Sequence, residues 1–90
     1  MEFEWDEAKD VENRRKHGLS LADAVLLDWD SGLETEDERI DYGEKRFRLL
    51  AMLDTKPHVC IYTLRDGRFR IISIRKANDR EAREYDDPRR

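Results

Sequence analysis

One cysteine, two prolines, four glycines and two histidines in 90 residues close off several kinds of chemistry. Cys60 stands alone inside VCIYTL, so it has no partner for an internal disulfide and reads as a small buried hydrophobe. His17 and His58 lie 41 residues apart with no cysteine pair, and the acidic residues form a run without ligand spacing, so no metal site or other cofactor is expected. Nucleophilic catalysis is equally unsupported: there is no G-x-S-x-G, and Ser73 has no nearby His or Asp in sequence to activate it. No apolar run approaches about 18 residues, and no basic start leads into an apolar stretch. Neither a membrane span nor a secretory signal is expected, and the expected location is the cytoplasm.

What is present in excess is charge of both signs. Charged residues make up 44% of the chain, against about 25% in ordinary domains. Segments with clear apolar patterning argue for a folded chain, and a length of 90 residues for one domain, 1–90, with a modest core. A net charge of -4 argues against a general nucleic-acid coat. The distribution says more than the total. Asp28 to Glu44 holds eight acidic residues and one basic residue, whereas Arg65 to Arg80 holds six basic and two acidic.

Local signals give the element order. Asp6 before EAKDVENRRKH and Gly18 after it frame a helix of eleven residues. Ser20, with Asp23 three positions on, opens a second helix over Leu21 to Leu27. RFRLLAML (46–53), VCIYTL (59–64) and RFRIISI (68–74) read as strands, and LETED (33–37) as a weaker edge strand. The Arg65-Asp66-Gly67 stretch signals a tight hairpin, and DTKPH a five-residue loop whose proline ends the strand. Asn78 with Glu81 caps a last helix from Asp79 to about Tyr85. The expected class is α+β: two N-terminal helices, an antiparallel sheet of three to four strands, and a C-terminal helix.

Lys9, Asn13, Lys16 and His17 fall within an arc of about 100° on the first helix, which is either a solvated face or part of a site. Strict alternation along the last strand puts Phe69, Ile71, Ser73 and Arg75 on one face and Arg70, Ile72, Ile74 and Lys76 on the other. The cations there are either solubilising caps of a core strand or an anion site. RNA cleavage without a metal needs a base for the 2′-hydroxyl, cations for the charge developing on phosphorus, and an acid for the leaving oxygen. His17 and Tyr85 are candidate proton handlers, and Lys9, Arg65, Arg75 and Lys76 candidate stabilisers. Tyr85, with Ala82, also serves as the apolar side of a short helix.

FEWDEAKDVENRRKHG at the start, Glu36, Asp37, Arg39 and Tyr42 to Arg46 in the middle, and YTLR followed by RIISIRKA at the end resemble the BrnT family of type II toxins. The resemblance covers residues 3 to 85. It implies a fold like the RelE ribonuclease toxins, an RNA-cleaving activity that stops translation, and a cognate BrnA-like antitoxin of ribbon-helix-helix type that binds DNA. Carried over by position, the family's basic and polar motif residues correspond to Lys9, His17, Arg65, Arg75 and Lys76, with Tyr62 and Tyr85 also matching. Ile74, where the family often has a small residue, and DWDSG, in place of an Asp-Pro turn, depart from the pattern. Two functions remain: a metal-independent endoribonuclease toxin that forms a hetero-oligomer with its antitoxin, or a non-catalytic module that docks a charged protein partner.

Overall fold

A computed structural model describes residues 1–38 and 43–89 of the chain. Arg39 and Tyr42 of the middle motif and Asp41 of the acidic run therefore lie outside the described residues. The elements are β1 (Phe3–Trp5), α1 (Glu7–His17), a 3-10 helix (Leu21–Leu26), β2 (Leu33–Asp37), β3 (Arg46–Leu53), β4 (Lys56–Arg65), β5 (Arg68–Lys76) and α2 (Asp79–Asp86). No helix among the described residues is long and apolar enough to cross a membrane.

The helix ends follow the local chemistry. Asp6 accepts from the Lys9 amide, and Gly18 ends α1 in the left-handed region at φ 71°, which a residue without Cβ adopts freely. Both predicted capping boxes form, Ser20 with Asp23 and Asn78 with Glu81. The second helix, however, is 3-10 rather than α. Leu21, Ala24 and Leu27 are buried at intervals of three, and only a turn of three residues brings side chains at i and i+3 onto one line.

The sheet has five strands in the order β1-β5-β4-β3-β2, which corrects the expectation of three to four antiparallel strands. The additional strand, β1, pairs parallel with β5 through Phe3↔Phe69, Glu4↔Arg70 and Trp5↔Ile71, so the sheet is mixed. Three residues carry no readable alternation, and the partner lies 66 positions away. The β3–β4 connection is also tighter than expected, with Leu53 facing Lys56 and Met52 facing Pro57. Pro57 fits inside the strand because its carbonyl points toward β5, where it accepts from Ala77. The missing N–H then faces the same side and leaves the β3 ladder intact.

A bulge overturns the strict alternation of β5. Ile61 faces Ser73, but Tyr62 faces Ile71, so Ile72 is the extra residue. Ile71 and Ile74 consequently join the same core as Leu21, Ala24, Leu27, Leu49, Ala51, Cys60 and Tyr62. Phe3, Trp29, Phe47 and Phe69 pack against this core, with neighbouring ring centroids 5.3–5.6 Å apart. Tyr62 is 2% exposed within that aromatic cluster, a packing position. On the opposite face Arg48, Ile61 and Ser73 align across three strands, as do Leu50, Val59 and Arg75.

The first helix docks through polar groups. Asn13, buried, donates to the carbonyls of Leu19 (2.8 Å) and Ile74 (2.9 Å) and accepts from the Ile74 amide at 3.1 Å. Its amide thus continues the edge pairing of β5 beyond the end of β1. Asp10, also buried, accepts from Arg14, the Ser20 hydroxyl and the Leu21 amide, tying α1 to the 3-10 helix. The Arg14 guanidinium, followed by the Leu21 amide, holds the Asp10 carboxyl below the usual range.

Candidate functional site

A cavity of about 520 Å³ opens between the sheet face that carries Arg48, Ser73 and Arg75 and α2, which supplies Arg80, Glu81 and Glu84. At its centre is one carboxylate. Glu81 is 5% exposed, and its two oxygens accept from both terminal nitrogens of Arg75, at 2.8 and 2.9 Å. Arg48 donates to it from β3 at 3.0 Å, and the Asn78 amide closes the capping box at 2.9 Å. These donors, Arg75 foremost, hold the Glu81 carboxyl down to about 2 against the opposing effect of burial.

The consequence is orientation. A long arginine is ordinarily free to wander, whereas a fork held bidentately by a buried carboxylate has one position. Each guanidinium has five donors, and Glu81 takes two from Arg75 and one from Arg48. Arg75 also reaches the Lys76 carbonyl at 3.2 Å, and Arg48 lies 3.7 Å from Glu84. Arg80 has no carboxylate partner among the described residues, and it is the third guanidinium on the lining of the cavity.

The facing wall is acidic. Glu36, Asp37 and Glu38 line the same cavity, so the two poles of the sequence meet in one place. The lining holds three guanidiniums and, counting Glu81 and Glu84, five carboxylates. An anion therefore gains from contact with the inner wall and not from a long-range field.

The structure distributes the six sequence candidates over several places. Arg75 lies in the cavity. Lys76, the next residue, lines a different cavity with His58 and Lys56. Arg65 sits at the far end of β4, 3.3 Å from Glu44. Lys9 and His17 are exposed on α1, at the β5 edge of the sheet. Tyr85 lines a third cavity with Leu33 and Asp86 to Pro88. The dense cations of Arg65 to Arg80 thus separate toward two ends of β5. At the hairpin end, Arg68 pairs with Glu2 and Arg70 with Glu4.

Arg48, Arg80 and the central role of Glu81 were not singled out as site residues from sequence. Arg48 alternates with Phe47 and Leu49 like any strand arginine, and only the register across β3, β4 and β5 brings it beside Arg75. Glu81 was legible as a cap, and its carboxylate does both jobs because the helix start sits directly after the strand end that carries Arg75.

Residues 5–81 match the family model for the ribonuclease toxin, BrnT, of type II toxin–antitoxin systems. No curated protein sequence matches the chain.

Proposed function

Because the chain belongs to the BrnT family of ribonuclease toxins of type II toxin–antitoxin systems, which implies an RNA substrate and an antitoxin partner, we propose that the Arg48–Arg75–Arg80 cavity holds the scissile phosphate. The observation that carries this reading is the bidentate anchoring of Arg75 by the buried Glu81, with Arg48 on the same carboxylate. Guanidiniums fixed before substrate arrives stabilise charge developing on phosphorus without reorganising at the moment of reaction.

In this mechanism the cavity supplies cations in place of a metal, and the 2′-hydroxyl oxygen attacks phosphorus as the bond to the 5′-oxygen breaks, leaving a 2′,3′-cyclic phosphate and a 5′-hydroxyl that takes its proton from water. Proton transfer needs a group within reach, and the proton-accepting side chains along the cavity are carboxylates. Glu84, half exposed and close to Arg48, is the proposed base. Lys9, His17, Arg65, Lys76 and Tyr85 are proposed as contacts to the strand on either side of the scissile phosphate, within a RelE-like toxin domain acting in the cytoplasm to stop translation. The acidic wall of Glu36, Asp37 and Glu38 favours a basic segment of the antitoxin, proposed to be of ribbon-helix-helix type, lying over the same cavity.

Purified protein assayed on RNA tests the reading. Arg75→Ala is expected to lower the cleavage rate by about 10²-fold, the scale of losing one charge-stabilising donor. It also orphans Glu81, so Arg75→Lys is the second variant: it keeps a cation for Glu81 but loses the fork. Near-normal cleavage by a folded Arg75→Lys and a folded Arg75→Ala protein would remove Arg75 from the mechanism.

A further inference from the structure

His58 has no task in the cavity above, and its surroundings are unusual for a core residue. It is 4% exposed and faces Ala51 on β3 and Lys76 on β5. Its Nδ1 lies 2.9 Å from the Lys56 carbonyl. A carbonyl only accepts, so this nitrogen carries the proton, and Nε2 is the remaining polar atom. Nε2 has no protein partner among the described residues. It is also not sealed off, since Arg46 Nε is the one fully enclosed side-chain nitrogen or oxygen without a hydrogen bond among them. His58 lines a cavity of about 310 Å³ at the end of the sheet, together with Leu19, Leu53, Asp54, Thr55, Lys56 and Lys76.

The charges around that cavity have one sign in excess. Lys56 comes from the start of β4 and Lys76 from the end of β5, and neither makes an ion pair among the described residues. Asp54 of the turn is the one carboxylate on the lining, and Leu19 and Leu53 are the apolar walls. A leucine at position 58 would fill the core without leaving a ring nitrogen unpaired. A histidine there, with one nitrogen committed and the other unpaired on a cavity that two lysines also line, is arranged to donate to an anion once the ring is protonated.

We propose that the His58–Lys56–Lys76 cavity is a second phosphate site, taking a backbone phosphate of the RNA strand beside the one held at Arg75. Arg75 and Lys76 are consecutive on β5 and line separate cavities, so a strand crossing the end of the sheet meets both. The assignment to RNA rests on the cleavage reading above, while the anion site itself does not. Binding strengthens in acid, because an imidazolium adds a charge and a donor at Nε2.

Sulfate is the probe, since its charge is constant over this range, and the His58 ring signals in NMR are the readout at fixed ionic strength. Sulfate is expected to bind about tenfold more tightly at pH 5.5 than at pH 8. Lys76→Gln should weaken binding about fivefold, and His58→Gln, followed through the backbone amide signals of Lys56 and Lys76 because the ring is gone, should lose the pH dependence of binding. Because Lys76 is exposed, its variant keeps the test alive should His58→Gln fail to fold. A short single-stranded deoxyoligonucleotide, which lacks the 2′-hydroxyl and is not cleaved, should displace the sulfate. His58 signals indifferent to sulfate, or equally responsive in Lys76→Gln, would overturn the site. Sulfate binding that the oligonucleotide leaves untouched would overturn its assignment to RNA. Arg75→Lys should leave sulfate binding at His58 unchanged, so loss of the cleavage reading and loss of this one are separable.

Discussion

Glu81→Gln is the sharpest perturbation of the cavity, because it preserves shape and removes only the charge that holds Arg75 and Arg48. The Glu81 carboxyl is held at about 2, against 4.5 for an unconstrained glutamate. That difference corresponds to about 3 kcal/mol of folding stability at neutral pH. Side-chain exposures of 37% for Arg75 and 22% for Arg48 let solvent screen part of it, which brings the expected loss in Glu81→Gln to about 2 kcal/mol. The pH dependence follows from the direction of the shift. A carboxyl depressed in the folded state stabilises fully above its unfolded value of 4.5, and that contribution disappears as the pH falls toward 2. The gap between native and variant should therefore be constant from about pH 7 to 5, shrink by about half near pH 3, and close below that. Urea unfolding at pH 7, 4.5 and 3 measures it. A gap that stays the same down to pH 3, or one under about 0.5 kcal/mol at pH 7, would show that Glu81 does not hold the two arginines and would remove the ground for calling the wall preorganised.

Asn13→Ala should cost about 3 kcal/mol, because it strands the Ile74 amide and carbonyl and the Leu19 carbonyl; Asn13→Asp, which cannot donate, should be no better, and urea midpoints for the two variants settle the point. RNA cleavage should persist in EDTA, with activity that vanishes and returns on adding Mg²⁺ counting against the cation mechanism. Burial pushes the Cys60 thiol up to about 12, so a maleimide should label the folded protein at pH 7 far more slowly than the urea-unfolded chain, and equal rates would contradict the packing of β4.

What the sequence determined is what neighbouring residues decide among themselves. Asp6 and Gly18 bound α1, Ser20 with Asp23 and Asn78 with Glu81 cap their helices, and Asp66-Gly67 turns β4 into β5 with both residues at positive φ. The LETED strand was legible to the residue. These signals act over two to four positions, where hydrogen bonds and sterics of the local chain dominate. Tertiary structure decided the rest, because its causes lie far apart in sequence. The Phe3–Trp5 strand exists through a partner 66 residues on. The bulge at Ile72 is invisible to a period of two and reassigns Ile74 to the core. The helix that looked solvated is anchored by Asp10 and Asn13, whose burial depends on a β5 edge left open after Trp5. Arg48 and Arg75, 27 positions apart, share one carboxylate only because the register of β3, β4 and β5 sets them in neighbouring rows on one face. Charge was written in the sequence; which charges meet was set by strand register.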